Sequence, residues 1–167
     1  GIVYGISAFS LSEDIGVSVP EAKAYIESYL RNYEGVREYM KRIVEQAKRD
    51  GYVTTLFGRR RELPELKSSS FNVRSFGERA ALNTPIQGTA ADIIKIAMVR
   101  VYRRLKKEQL RSRLILQVHD ELILETPEDE IEIAAKLLKE EMEAACALAA
   151  PLRADAAWGR DWYAAKG

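Results

Sequence analysis

Two apolar runs, Leu114-Ile115-Leu116-Gln117-Val118 and Leu122-Ile123-Leu124-Glu125, are separated only by His119-Asp120-Glu121. Runs of β-forming residues joined by so short a polar link pair as an antiparallel hairpin. A second, shorter pair is expected where Tyr52-Val53-Thr54-Thr55-Leu56 meets Phe57-Gly58 and turns into Arg59-Arg60-Arg61. Between and around these pieces the pattern is helical, without regular strand-helix alternation. The expected class is therefore α+β, an antiparallel sheet with packed helices.

The helices announce themselves by their ends. Ser7 caps a short helix stopped by Gly16, and Ser18-Val19-Pro20-Glu21 is a capping box with proline in the first turn. Tyr25, Ile26, Tyr29, Leu30 and Tyr33 recur at helical spacing. A second amphipathic run, Val36 to Ala47, joins near Glu34-Gly35 and ends at Gly51, and the aromatics of this pair read as core. After a loop at Pro64 and Ser68-Ser69-Ser70, a helical pattern runs from Phe71 to Asn83, breaks at Thr84-Pro85, and resumes from about Gly88 to Leu105, a long bent helix buried on a sheet in its second half. Thr126-Pro127 opens a further helix with Thr126 as cap, Leu152 to Ala157 suits one more strand, and Gly159 with Trp162-Tyr163 closes the chain. No internal repeat or low-complexity stretch interrupts it.

Composition narrows the setting. No run nears the roughly 18 apolar residues of a membrane span, and no charged start followed by an apolar stretch suggests a signal peptide, so the expectation is a cytoplasmic protein without membrane contact. The lone Cys146 excludes an internal disulfide and reads as a small buried filler in an alanine-rich helix. Residues 1–113 hold 21 Lys/Arg and 13 Asp/Glu, net +8, and residues 114–167 hold 5 and 12, net −7. A basic front suits a polyanion and an acidic back a cation, although solvated helix faces give the same counts. The opening Gly1-Ile2-Val3-Tyr4-Gly5, with no methionine, looks like the middle of a structure and suggests a truncated, cleaved or split product.

Three groups could carry chemistry. Asp120 and Glu121, adjacent carboxylates on a strand-anchored turn, form an oxygen-rich corner that suits Mg²⁺, an ion commonly held by one or two carboxylates plus substrate phosphates. Two-metal phosphoryl transfer needs a further carboxylate from elsewhere. Aspartate is also common in hairpin turns for conformational reasons. Arg79, Asn83 and Gln87 fall four apart, on one face of a continuous helix, and their donors can reach the minor-groove acceptors that all correct base pairs share. The same residues also fit a surface face, with Thr84 and Gln87 forming a capping box that restarts the helix. Arg59, Arg60 and Arg61 are possible phosphate contacts.

Taken together, Gly1-Ile2-Val3-Tyr4-Gly5, Thr55-Leu56-Phe57-Gly58-Arg59-Arg60-Arg61, Asn83-Thr84-Pro85-Ile86-Gln87-Gly88-Thr89-Ala90-Ala91-Asp92 and Gln117-Val118-His119-Asp120-Glu121 resemble family A (DNA polymerase I-like) DNA polymerases across essentially the whole chain. The resemblance implies a right-hand polymerase fold, with residues 1–70 the distal part of the fingers and 71–167 the carboxyl-terminal part of the palm. It implies templated addition of deoxynucleotides to a primer 3′ end, with two Mg²⁺ ions, a deoxynucleoside triphosphate substrate and a DNA primer-template partner. Asp120 resembles a metal-binding palm aspartate and Glu121 its catalytic neighbour. His119 resembles the histidine near the primer terminus, and Tyr4 the tyrosine that stacks at the template position. Arg79, Asn83, Gln87 and Gln117 resemble primer-template contacts. The family's nucleotide-binding arginine and lysine, its other metal-binding aspartate and its thumb have no counterpart in these residues, which implies a missing amino-terminal part as partner and an inactive isolated chain. Two other readings stand beside this one. A single-subunit RNA polymerase relative would be expected to carry serine after His-Asp, where this chain has Glu121. A primer-template-binding fragment without catalysis is the other.

Overall fold

Short-range hydrogen bonds set the first helices. In the computed structural model, which describes residues 1–166, a 3₁₀ turn over Ile2–Tyr4 ends at Gly5, at φ 78°. Helix α1 (Ala8–Ile15) is capped by Ser7 Oγ, which accepts the Ser10 N–H at 3.0 Å, and stops at the left-handed Gly16. In α2 (Val19–Asn32) the expected box is complete, with the Ser18 N–H donating to the Glu21 carboxylate at 3.0 Å and the Glu21 N–H to Ser18 Oγ at 3.4 Å. Helix α3 (Glu34–Asp50) follows at Tyr33, one residue before the expected joint, and ends at Gly51. The tyrosines depart from expectation. Tyr25 and Tyr33 are more than half exposed, and only Ala22 of α2 and Ala47 of α3 are buried. Helical spacing shows that the aromatics share a face, but not that anything covers it.

Strands β1 (Tyr52–Thr54) and β2 (Arg60–Glu62) pair antiparallel with Val53 opposite Arg61. A 3₁₀ turn over Pro64–Lys67 leads to helix α4 (Phe71–Lys107). This helix does not break at Thr84-Pro85, and Thr84 does not restart it as a cap. Pro85 has no N–H to give the Ala81 carbonyl four positions back, and the hydroxyls of Thr84 and Thr89 donate to the Ala80 and Pro85 carbonyls, at 2.7 and 2.5 Å, without replacing that bond. Ala80, Ala81 and Leu82 are buried on this stretch, so tertiary packing holds the backbone helical where local chemistry alone would stop it.

The chain forms two compact units, Gly1–Thr89 and the residues from Ala90 onward. The core of the first gathers Ala47, Val53, Leu63, Leu66, Ala80 and Ala81. In the second, Ile94, Ala97, Val101 and Leu105 from the later part of α4 pack with Leu122, Leu137 and Ala145, as the dense apolar pattern there predicts. Strands β3 (Arg113–Val118) and β4 (Glu121–Glu125) form the expected hairpin, with an irregularity between Leu114 and Leu116.

Helix α5 (Ile131–Glu143) is entered through a 3₁₀ turn at Glu128–Glu130, and Thr126 does not cap it. The local anchor is Glu130, whose carboxylate accepts the N–H groups of Arg111 at 3.0 Å and Ser112 at 2.9 Å and the Ser112 hydroxyl at 2.7 Å. Leu152 to Ala157 is not a strand; the Ala154 N–H goes to the Glu143 carboxylate at 3.2 Å instead of to a neighbouring backbone. Helix α6 (Trp162–Lys166) is capped by Asp161, which accepts the Ala164 N–H at 2.8 Å. Cys146 lies beyond the end of α5 and is only partly buried, so it is not a helical filler. No helix among the described residues is long and apolar enough to cross a membrane.

Candidate functional site

The β3–β4 hairpin turns through two residues, His119 and Asp120, because Val118 already faces Glu121. His119 takes the turn at φ 52°, a conformation uncommon outside glycine, asparagine, aspartate and histidine. The Gln117 side chain braces it, its Nε2 donating to the His119 carbonyl at 2.6 Å. Gln117, His119, Asp120 and Glu121 therefore form one corner, with the first three exposed and Glu121 partly buried.

The two carboxylates of this corner are not equivalent. Asp120 makes no hydrogen bond or ion pair among the described residues. Glu121 Oε1 lies 3.0 Å from Lys166 Nζ, and Glu121 Oε2 accepts the Trp162 Nε1–H at 3.2 Å. Lys166 Nζ also sits 4.7 Å from the centroid of the Trp162 ring. These four residues lie along an open cleft of about 890 Å³ in the second unit, with Ile94 and Leu122 on its apolar side. Carboxylate oxygens are hard donors, and the unpaired Asp120 fits a hard divalent cation such as Mg²⁺. Among the described residues no group of three or more His, Cys, Asp or Glu side chains converges as a metal site, so Asp120 and Glu121 would fill only part of an octahedral shell.

The first unit carries the other candidates. Arg79, Asn83 and Gln87 lie on a single unbroken helix, which gives them the common face that their spacing requires. Arg79 and Gln87 are exposed, and Asn83 is partly buried with its Oδ1 unpartnered. Gly5 is packed against this helix, where an added Cβ would stand 3.0 Å from Leu82 and 3.5 Å from Arg79, so the backbone next to Tyr4 borders Arg79. Tyr4 itself is 39% exposed.

Arg59, Arg60 and Arg61 are all exposed, and each is engaged within the chain. Arg61 Nη1 donates to Thr84 Oγ at 3.1 Å, whereas the Arg60 guanidinium stacks 3.6 Å over the Tyr52 ring and pairs with Glu62 at 2.5 Å.

Sequence reading overlooked the residues that fix both places. Lys166 and Trp162 reach Glu121 from 41 or more positions away, a spacing that no local pattern reports. Thr89 lies within a quoted motif, yet its hydroxyl receives the Leu56 N–H at 2.9 Å and so ties the β1–β2 turn to α4.

Residues 1–164 match the model of DNA polymerase family A. The chain is 57% identical over 166 residues to DNA polymerase I of Bacillus subtilis and 54% identical to that of Geobacillus stearothermophilus, in both cases covering 99% of this chain and 19% of the relative. It thus spans about a fifth of the length of these relatives. Among solved structures it is similar to the polymerase domain of Pol1 from M. smegmatis, determined in complex with DNA primer-template and dNTP, at 48% identity and a TM-score of 0.96 over 100% of this chain and 30% of that one.

Proposed function

This chain belongs to DNA polymerase family A, and from that premise we propose that it supplies part of the site for templated addition of deoxynucleotides to a primer 3′ end. Its fold is that of the matched right-hand polymerase domain. The observation that carries the reading is the unpaired Asp120 carboxylate, presented on a braced two-residue turn inside a family match that covers nearly the whole chain. Residues 1–70 are assigned to the fingers and 71–167 to the palm. The partner is a DNA primer-template and the substrate a deoxynucleoside triphosphate, the ligands named for the M. smegmatis structure.

Asp120 would hold divalent metal, with the Glu121 carboxylate beside it engaged by Lys166 and Trp162, and Mg²⁺ there would supply Lewis-acid stabilisation of charge developing on phosphoryl oxygens. Every other contribution comes from the chain. The Gln117–His119 bond keeps the turn in one conformation and so fixes the backbone from which the Asp120 carboxylate is presented. Arg79, Asn83 and Gln87 direct donors to minor-groove acceptors present in every correct pair, and His119 and Tyr4 contact the primer terminus and the template base. Arg59, Arg60 and Arg61 bring positive charge to the DNA backbone.

The test is a chimaera in which these residues replace the corresponding segment of Bacillus subtilis DNA polymerase I. It should extend a primed template with Mg²⁺, whereas the isolated chain should bind duplex DNA in a salt-sensitive way without extending it. A chimaera that binds primer-template but adds no nucleotide would sink the reading.

A further inference from the structure

Helix α6 has five residues, yet it is built to place two side chains. The Asp161 carboxylate caps it through the Ala164 N–H, and the backbone entering it passes so close that a Cβ on Gly159 would lie 2.7 Å from Ala165 N and 2.8 Å from the Ala164 carbonyl carbon. Only glycine fits there, so the strap and the helix form one folded piece. From that piece Trp162 and Lys166, one helical turn apart, each take a different oxygen of the same carboxylate, Glu121. The Lys166 ammonium also lies against the Trp162 ring, which limits its own freedom. Glu121 is thus held at both oxygens by α6, while Asp120, its neighbour in sequence, is held at neither.

We propose that Lys166 and Trp162 are positioning residues for the catalytic corner: they restrain and partly neutralise Glu121, so that Asp120 alone presents an unengaged carboxylate to metal and substrate. The inference rests on the polymerase reading above. Without Lys166, Glu121 is free to swing toward the same cation, which adds a ligand but in an unproductive arrangement. Removing the ammonium should therefore leave metal binding intact or tighter while turnover falls. A merely structural role for α6 would weaken both together.

The experiment uses the Bacillus subtilis chimaera. Lys166→Met should lower kcat for single-nucleotide addition by roughly tenfold or more, the usual cost of losing an outer partner at a metal site, with primer-template affinity unchanged. Mn²⁺ binding, measured by electron paramagnetic resonance, should be retained or strengthened. Lys166→Arg should recover kcat to within about threefold, because a guanidinium keeps both the charge and the ring contact. Combining Lys166→Met with Glu121→Gln should cost no more than Glu121→Gln alone, since residues that act through one another are not additive. Trp162→Phe, which removes only the N–H donor, covers the case in which Lys166→Met fails to fold, and should lower kcat with the fold intact. A Lys166→Met kcat within about twofold of the parent would overturn the proposal, as would an undiminished loss in the Glu121→Gln background or loss of Mn²⁺ binding from a folded variant. If the parent chimaera itself binds DNA and adds no nucleotide, the polymerase reading fails; if it extends normally and Lys166→Met does too, only this inference fails.

Discussion

Gly88→Ala should open the β1–β2 turn although alanine is the better helix former. A Cβ at position 88 would stand 2.6 Å from Thr55 Cγ2, about 1 Å inside normal carbon–carbon contact. Thr55 cannot rotate out of the way cheaply. It is 5% exposed, its Oγ accepts the Arg59 N–H at 3.1 Å, and its own N–H donates to the Arg59 carbonyl at 2.9 Å. Overpacking of this kind costs about 1–3 kcal/mol, and the helix-propensity gain from glycine to alanine returns about 1 kcal/mol. The net, about 1 kcal/mol against the docked turn, should cut protection of the Leu56 amide, which donates to Thr89 Oγ, by roughly fivefold. Amide hydrogen exchange of peptides spanning residues 52–62 in the chimaera reads this directly. Thr55→Ser keeps the hydroxyl and deletes the clashing methyl, so the double variant should recover most of the protection. Gly35→Ala in α3, with nothing within 4 Å of the new methyl, should instead stabilise by about 0.5–1 kcal/mol. If Thr55→Ser leaves the Gly88→Ala defect unchanged, the steric argument is wrong.

Two further outcomes follow from specific contacts. The Arg111 backbone N–H, joined by the Ser112 hydroxyl and N–H and the Arg111 side chain, outweighs burial and holds the Glu130 carboxyl at about 2, below its ordinary 4.5. That stabilisation is complete above pH 4.5 and lost as pH falls toward 2, so hydrogen-exchange protection of α5 should decline across that window and Glu130→Gln should flatten the decline. Gln87→Ala should slow extension from matched termini by a similar factor at all four base pairs, because minor-groove acceptors are shared; kinetics with each terminal pair would expose an effect confined to one of them.

What sequence could show here depended on how far apart the interacting residues lie. Ser7, Gly16, the Ser18–Glu21 box and Gly51 act within four positions of themselves, and each stands where its local chemistry places it. The hairpin around His119-Asp120 was legible for the same reason, since two strands and their turn are contiguous. Pro85 misled because α4 is kept helical through it by the tertiary packing of a buried face, Ala80, Ala81 and Leu82, and not by local chemistry. Thr126 misled because Glu130 anchors that end by bonding to residues 18 and 19 positions earlier. Tyr25 and Tyr33 show the limit of periodicity, which identifies a face without saying what meets it. The engagement of Glu121 by Trp162 and Lys166 is of the same long-range kind, whereas the family motifs marked the corner itself without it.

Single-turnover nucleotide addition by the Asp120→Ala chimaera reads the part that the Asp120 carboxylate takes in nucleotidyl transfer. With enzyme and primer-template saturating, the rate should fall by about a thousandfold, roughly 4 kcal/mol of lost transition-state stabilisation, with primer-template binding close to that of the parent. Extension within a few-fold of the parent would contradict that role.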